Sequence, residues 1–574
     1  MALVRRAEFS LREVDDSIVS RLSAGLGVHP VTARCLAGRG IACEGDARSY
    51  LEPRLAGLRP PEGLAGLDAA IERLTGALVA DETIGVFGDY DVDGVTTCAL
   101  LTTYLRAAGA RCVPRVARRD AGYGFQVADV EALASAGCSV LLVGDCGTCD
   151  LEAIEAARAR GVEVIVIDHH AVPPGDPAAH PALALINPLR PDSTFPFRGM
   201  ASVGLAFYVM AALRSRLVSR RALAQAPDLR ELLDLVALGT IADVVPLERE
   251  NRILTTHGLR LLSRRARPGI AALLERAGVG SADPIDERTV AWKIGPRLNA
   301  PGRLGDAAPA LELLLAGDGA AAAAAAAALE EQNELRRRAQ DKVLAEAREL
   351  AAACAGAGAV VVAGEGWPSG VVGIAAAKLC EEHGVPAFVL AVDRERGEAR
   401  GSARSVPGID LVDILSRCSD VLSRYGGHAG AAGLTVAPER IDELTEAITA
   451  AVASDEPSAG GSREPADAEV ALADLDDRLV AELGHLAPFG CGNEEPRLVS
   501  RGLRVRRSRR VGDGSHLKLE LEAHGGARAE AIGFGLGELD PGRGAEVDAL
   551  YAPTISTWGG RRRVELRLCD LAVS

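Results

Sequence analysis

Aromatic side chains are scarce in this chain, at 3% of its 574 residues. Its core must therefore be aliphatic, and a hydrophobic content of 48% supplies one. No uncharged apolar run is long enough to cross a bilayer: the longest, residues 320–329, is nearly all alanine and too short. The opening stretch holds Arg5, Arg6 and Glu8 without an apolar core, so no secretory signal is expected. These absences predict a soluble cytoplasmic protein with no membrane partner. Paired cysteine motifs are also missing. Of twelve cysteines, only Cys146 and Cys149 form a CxxC, and no second pair or His pair completes a zinc site. Reduced thiols are the expectation. Finally, there is no excess of positive charge: 64 Lys and Arg face 79 Asp and Glu, a net −15. That balance leaves a nucleic-acid partner open, because phosphate contacts depend on local patches.

What is present is length enough for several domains and a regular alternation of strand and helix. Residues 1–75 read as short amphipathic helices, with Pro60-Pro61 in a loop. From 76 to 310, apolar runs of strand length at 83–87, 139–143, 162–167 and 182–186 alternate with helical segments. Such alternation predicts a buried parallel sheet of βαβ units. Residues 311–356 read as a long connecting helix, with Asp318 placed to cap the alanine run. A second α/β unit is expected over 357–452, opened by the strand 359–363. A linker of Ser, Gly, Pro and acidic residues follows at 453–468. The remainder, 469–574, alternates like a small β-barrel at 503–511, 517–521 and 564–568.

The first three strands of the parallel sheet end in ligand-type residues. Asp89-Tyr90-Asp91-Val92-Asp93-Gly94 follows the first, Asp145 the second, and Asp168-His169-His170 the third. Ligands of open α/β sheets bind beyond the carboxyl ends of the strands, so three segments deliver donors to one edge. Carboxylates at every second residue share one side of an extended segment, where they repel unless cations bind. Hard oxygen donors select Mg²⁺ or Mn²⁺, and imidazole shifts the balance toward Mn²⁺. An EF-hand is excluded by the missing twelfth-position Glu, although a solvated acidic loop remains the bland alternative. Asp243, inside the apolar segment Ala237-Leu-Gly-Thr-Ile-Ala-Asp243-Val-Val, needs a metal or an Arg beside it. Two ions about 4 Å apart activate water and stabilise a leaving oxygen, the arrangement phosphoester hydrolysis needs.

In this order and spacing the four motifs resemble the DHH phosphoesterase superfamily. Within it the chain is similar to the RecJ single-stranded-DNA exonucleases over nearly its whole length. Supporting segments are Arg118 with Gly122-Tyr123-Gly124, Ile186-Asn187-Pro188, and Lys293-Ile-Gly-Pro-Arg297-Leu-Asn299-Ala-Pro-Gly-Arg303. Others are Gly401-Ser402-Ala403-Arg404, Gly426-Gly427-His428 and Pro488-Phe489-Gly490 with Gly492-Asn493. The resemblance implies an α/β fold with a parallel-sheet DHH catalytic domain, a second α/β DHH-associated domain, and a C-terminal oligonucleotide-binding β-barrel. It implies 5′-to-3′ hydrolysis of single-stranded DNA to 5′-mononucleotides in repair and recombination. Asp91, Asp93, Asp145, His169 and Asp243 are the implied ligands of two Mn²⁺ or Mg²⁺ ions. Asp89 is the least secured of the acidic set, and His170 is a proton donor or phosphate contact. Arg118, Arg297, Asn299 and Arg303 are implied DNA contacts. A monomer is implied as well, working beside a helicase and a single-strand-binding protein.

Elementary chemistry extends the DNA path into the later domains. Ser402 and Arg404 flank a small residue and suit a phosphate, and His428 sits in a glycine-rich turn that permits close approach. One departure is Trp367-Pro368-Ser369-Gly370, where the related pattern carries His in place of Pro368. In the barrel, Arg504, Arg506, Arg507, Arg509 and Arg510, with His516 and Lys518, form one basic patch, and Arg561 to Arg563 a second. Phe534, Tyr551 and Trp558 are the few candidate stacking platforms and are read as core residues. Two rivals remain: a DHH enzyme for short oligoribonucleotides or cyclic dinucleotides, and a scaffold with a dead site. The terminal barrel argues against the first and the full set of ligands against the second.

Overall fold

A computed structural model describes residues 9–122, 124–220, 226–352, 358–454, 465–556 and 562–573. Arg5, Arg6, Glu8, Tyr123, Trp558, Arg561 and linker residues 455–464 lie outside them. The chain divides into two compact units: residues 60–245 with 257–461, and residues 1–59 with 246–256 and 462–574.

The larger unit opens with strands β1 (Thr83–Gly88), β2 (Arg111–Val116), β3 (Cys138–Gly144), β4 (Glu163–Ile167) and β5 (Ala184–Ile186). They form one parallel sheet in the order β2-β1-β3-β4-β5. β1, β3 and β4 are buried almost throughout because helices cover both faces, hence their near-continuous apolar runs. β2 holds Pro114 and stays half-exposed, which an edge strand tolerates and a central one does not. From β1 the chain winds outward to β2 and returns to β3 on the other side. The strand order therefore reverses between β1 and β3, which opens a crevice at their carboxyl ends.

Helix Val92–Ala107 leaves that crevice, and helices Ser202–Ser219 and Leu233–Ala242 pack on it. The connecting helix spans Gly319–Ala351, and Asp318 caps it by accepting from Ala320 N and Ala321 N at 2.9 Å each. Beyond it lie β6 (Val360–Glu365), β7 (Ala387–Asp393), β8 (Glu398–Arg404), β9 (Arg424–His428) and β10 (Ala431–Val436). Their sheet runs β6-β7-β8-β10-β9, parallel only between β6 and β7. Its helix Ser369–His383 meets the catalytic part backbone to backbone: a Cβ on Gly370 would lie 2.0 Å from the Arg303 carbonyl oxygen.

The smaller unit holds β11 (Ala468–Glu469), β12 (Leu498–Val511), β13 (His516–Glu522), β14 (Arg528–Gly533), β15 (Glu546–Ser556) and β16 (Arg563–Val573). Strands β12-β13-β14-β16-β15 close into a five-stranded barrel through the β12–β15 pairing, with β14 and β16 parallel. The N-terminal helices Asp16–Leu26, Pro30–Gly38 and Glu44–Leu51 share the barrel's core. Leu22 and Leu36 pack with Leu498, Leu503 and Tyr551, each fully or almost fully buried. Each such leucine contributes roughly 1.5–3 kcal/mol by leaving water. Residues a sequence reading keeps apart thus form one folding unit. All eleven described cysteines are free. No helix among the described residues is long and apolar enough to cross a membrane.

Candidate metal centre

Three chain segments end at the crevice between β1 and β3. The Asp-rich turn after β1 is tight: a Cβ on Gly94 would lie 2.4 Å from Asp89 N, so only glycine fits. Asp91 N-caps the helix that follows, its Oδ1 accepting from Gly94 N at 3.1 Å, which leaves Oδ2 for the crevice. Asp93 is buried, and both its oxygens accept from the first turn of helix Ser202–Ser219: Ser202 N at 2.6 Å and Val203 N at 3.0 Å. These donors, together with the helix dipole, hold the carboxylate in place. Asp145 follows β3 in a left-handed conformation, φ 63°, and accepts from Ser202 Oγ at 3.1 Å. Such strain in a non-glycine residue concentrates at functional sites. Asp243 C-caps helix Leu233–Ala242.

His169 ties the segments together. Its Nε2 lies 3.4 Å from Asp145 Oδ1, 3.4 Å from Asp243 Oδ2 and 4.0 Å from Asp93 Oδ2. Two sets of donor atoms converge within 4.8 Å: Asp93, His169 and Asp243, and Asp145, His169 and His170. Neither Asp89 nor Asp91 is in these sets. Buried Asp89 Oδ1, His169 Nε2 and Asp243 Oδ2 have no hydrogen-bond partner among the described residues. A native fold leaves buried polar atoms orphaned rarely, and the two that belong to one donor set, His169 Nε2 and Asp243 Oδ2, fit a cation beside them.

Electrostatics agrees. Burial, then Asp91, pushes the Asp93 carboxyl up to about 7 and that of Asp89 up to about 8. Burial and then Asp93 raise Asp243 to about 9, and burial with four surrounding aspartates raises Asp145 well above the usual carboxylate range. A cluster that resists its own ionisation is the field a divalent cation relieves. The His-His pair is poised differently. Burial, then the neighbouring His170, lowers His169 to about 4 and keeps its imidazole neutral, the ligand form. At His170 burial opposes the charge, but Nδ1, 2.7 Å from Asp168 Oδ1, raises it to about 9. Asp168 is buried as well. It accepts from His169 N, His170 N and Thr148 N, and the His170 contact holds it far below the usual range. Asn187 Nδ2 fixes the turn by donating to the His170 carbonyl at 2.9 Å.

Beside Asp91 stands a group that the sequence shows only in part. Arg303 donates to the Gly370 carbonyl at 2.9 Å, and Arg404 to Ser402 Oγ at 3.1 Å. Arg119 stacks 4.0 Å over the Tyr90 ring and donates to the Gly302 carbonyl. Buried Arg336 bonds Asn333 and Gln340 along the connecting helix. None of the four pairs with a carboxylate among the described residues. Burial, then Arg119, Arg336 and Arg404, pushes Arg303 down to about 10. Unpaired cations that are buried or half-buried in an acidic chain describe an anion site. Pro368 only N-caps helix Ser369–His383, so the phosphate-type donors here are Ser402 and the guanidiniums. Arg119 and Arg336 escape a sequence reading because one looks like a loop residue and the other like a helix-surface residue.

The remaining expected DNA contacts separate. Arg297 is buried and bound to Glu330, and it serves as a pin between helices rather than an open contact. Arg118 pairs with Asp120 and Asp306, and Asn299 is half-buried on the same helix as Arg303. His428, at the end of exposed β9, is near enough to His169 to oppose its charging. In the barrel, Arg506 and Arg507 lie 3.5 Å from Glu522 and Glu520, and Lys518 lies 3.0 Å from Glu530. Arg509 and Arg510 are exposed without such partners among the described residues. His516 Nδ1 accepts from Gly535 N. Phe534, expected in the core, is instead 62% exposed and packs edge-on to His516 because it follows the last residue of β14. Tyr551 is buried, with its hydroxyl 2.7 Å from Ser500 Oγ.

Gly302→Ala tests how the cleft is held: the new Cβ would lie 2.3 Å from the Tyr90 carbonyl oxygen. Overpacking of this kind costs about 1–3 kcal/mol and displaces the Asp-rich turn. Metal-dependent turnover should fall at least tenfold, with a lower melting temperature; wild-type values would show the contact to be slack.

Family models match three parts of the chain: DHH family, N-terminal domain, at residues 83–240; DHHA1 domain at 355–454; and RecJ OB domain at 466–570. Single-stranded-DNA-specific exonuclease RecJ of Escherichia coli (strain K12) is 34% identical, with 97% of each chain covered. The protein of that name from Bacillus subtilis (strain 168) is 33% identical over 100% of this chain and 72% of its own. Among solved structures, RecJ from Thermus thermophilus in complex with Mn²⁺ superposes with a TM-score of 0.82 at 30% identity, covering 98% of this chain and 78% of that one.

Proposed function

The chain belongs to the RecJ family of single-stranded-DNA-specific exonucleases, and on that premise we propose how its residues divide the work. Asp91, Asp93, Asp145, His169 and Asp243 hold the divalent ions, Mn²⁺ or Mg²⁺, with Asp89 behind them. Bound there, the ions supply the charge that activates water and stabilises the phosphoryl transition state. Ser202 and Val203 fix Asp93 and Asp145 by backbone and hydroxyl donors. The neutral His169 imidazole presents Nε2 to the centre. Asp168 keeps His170 protonated at neutral pH, ready to give its proton to the departing O3′.

Arg303, Ser402 and Arg404, with Arg119 and Arg336 adding charge, receive the terminal 5′-phosphate. Hydrolysis then breaks a P–O3′ bond, releases a 5′-mononucleotide and leaves a new 5′-phosphate on the shortened strand. Each turn thereby regenerates the group the arginines bind, which supports 5′-to-3′ polarity. His428 and Asn299 line the strand's way through the cleft, and Arg118 stands at its margin. On the barrel, Arg509, Arg510, His516 and Phe534 form the favoured strand surface, and Arg506, Arg507 and Lys518 contribute where strand phosphates displace their glutamates. The domain limits are residues 76–310 for catalysis, 357–452 for the associated domain and 469–574 for the barrel. A monomer in the cytoplasm, fed by a helicase and working beside a single-strand-binding protein, suits this substrate and the free cysteines.

The observation that carries this reading is the convergence of orphaned His169 Nε2 and Asp243 Oδ2 on the acidic crevice. Its test is digestion of 5′-labelled single-stranded and duplex DNA with Mn²⁺, beside Asp91→Ala. Mononucleotides should appear from the single strand alone, and the variant should release about 10²-fold less or lower. Undiminished release by the variant, or none by the wild type, overturns it.

A further inference from the structure

Among the described residues Trp292 is the most exposed large hydrophobic side chain, at 77%. It makes no ring contact or hydrogen bond among them, and the neighbouring Lys293 is exposed without a carboxylate partner there. Both lie on Val290–Ile294, a wide π-helical turn set between the short helix Glu287–Thr289 and the helix Gly295–Leu304. Turns of that kind push side chains outward and recur at functional sites. In a chain with three tryptophans, leaving an indole in water needs a reason.

Position supplies one. The turn packs on helix Leu233–Ala242, whose C-cap is Asp243, and a Cβ on Gly295 would lie 3.9 Å from the Ala242 Cβ. Val244, next to Asp243, is also exposed, at 68%, and strained at φ 59°. From Trp292, beside the helix that Asp243 caps, the chain runs through helix Gly295–Leu304, whose Gly302 abuts the Tyr90 carbonyl of the Asp-rich turn, to Arg303 at the anion site. Eleven residues at about 1.5 Å each separate the two ends by roughly 16 Å. A stacked strand advances about 3.4 Å per nucleotide, so Trp292 lies within about five nucleotides of a phosphate held at Arg303. The scissile bond falls between.

We propose that Trp292, with Lys293 beside it, is a stacking platform for a base of the strand still to be degraded, downstream of the scissile phosphate. The indole face takes any base, as an exonuclease without sequence preference requires, and the ammonium contacts the adjoining phosphate. This rests on the reading above that the terminal phosphate sits at Arg303.

The test compares the full chain with Trp292→Ala and Trp292→Phe on a 5′-phosphorylated dinucleotide and an oligothymidylate of about twenty nucleotides. The preference in kcat/KM for the long strand over the dinucleotide should fall about 5- to 150-fold in Trp292→Ala, through KM, and be largely restored in Trp292→Phe. In a Trp558→Phe background the long strand should quench the tryptophan fluorescence, and adding Trp292→Phe should abolish the quench, since the remaining Trp367 is buried. An unaltered preference with no quench overturns the proposal and leaves Trp292 to a protein partner. Equal losses on both substrates also overturn it, by showing a structural role. Failure of the underlying reading looks different: the wild type itself then releases no mononucleotide from the 5′ end, and this proposal falls with it.

Discussion

Asp145→Asn is expected to abolish nuclease activity, by about 10³-fold or more, while raising the melting temperature of the metal-free protein. The first effect follows from removing a carboxylate that the ions need, since about 1.4 kcal/mol of transition-state stabilisation is tenfold in rate and metal charge supplies several kcal/mol. The second follows from the crevice itself. Asp145 is buried among Asp91, Asp93, Asp243 and Asp89, and its ionised form is disfavoured there. Asparagine keeps the shape and the Ser202 contact while removing the charge. In the unfolded chain these carboxyls ionise near pH 4. In the fold Asp93 holds its proton to about 7, Asp89 to about 8 and Asp243 to about 9. The native state therefore binds more protons than the unfolded one across that window, and metal-free stability falls as pH rises. His170, raised to about 9, acts the same way, because its stabilisation is complete below about 6.5 and is lost as pH rises through 9. His169 is neutral in both states above about 6.5 and adds no opposing slope there. Thermal melts at about pH 6.5 and 9, with and without Mn²⁺, check the scheme. The metal-free melting temperature should drop between them, and the increment from Mn²⁺ should grow, since ligands bind metal only after losing their protons. A metal-free wild type that gains stability with pH, or an Asp145→Asn protein that melts earlier, would show that the carboxylates are not in conflict.

The centre is legible in the sequence because each ligand sits at the end of an apolar strand, and a strand of a parallel sheet declares itself by composition. Thr83 to Phe87 followed by three alternating aspartates needs no tertiary information to be read as a ligand-bearing edge. Ser202 and Val203 are not legible. Their contribution is two backbone amides and a hydroxyl at a helix start, which nothing in Met200-Ala201-Ser202-Val203-Gly204 announces. β2 escapes for the opposite reason: Pro114 argues against a strand, yet on an edge its missing donor costs nothing. Most hidden is the union of the N-terminal helices with the barrel. Leu22 and Leu36 meet Leu498 and Tyr551 only in three dimensions, across more than four hundred intervening residues. The barrel's basic strand shows the converse limit. Sequence displays Arg504 to Arg510 as one patch, but pairing with β13 sets Glu522 and Glu520 opposite Arg504 and Arg507 and leaves Arg509 and Arg510 open.

Arg303→Met should cut kcat/KM on 5′-phosphorylated strands about 10- to 150-fold, yet leave the protein as stable as before or more so. A charge-assisted hydrogen bond contributes about 1.5–3 kcal/mol, which sets that range. Stability goes the other way because Arg303 is held among Arg119, Arg336 and Arg404 with no carboxylate bonded to it, and burial, outweighing the nearby Asp91, pushes it down to about 10. Its only hydrogen bond among the described residues is to the Gly370 carbonyl. Methionine fills similar volume without the buried charge, and such replacements are often neutral or stabilising. Arg297→Met is the control that separates an anion site from ordinary salt-bridge loss. Arg297 is on the same helix and more deeply buried, but it is neutralised by Glu330, so its removal orphans a carboxylate. It should lower the melting temperature and change kcat/KM little. Strands bearing a 5′-hydroxyl complete the cycle: they should bind the wild type more weakly and be nearly indifferent to Arg303→Met, because the group that guanidinium receives is already gone. Equal losses on phosphorylated and unphosphorylated strands would mean that Arg303 serves the scissile phosphate instead, and the polarity of degradation would then have to be set elsewhere in the cleft.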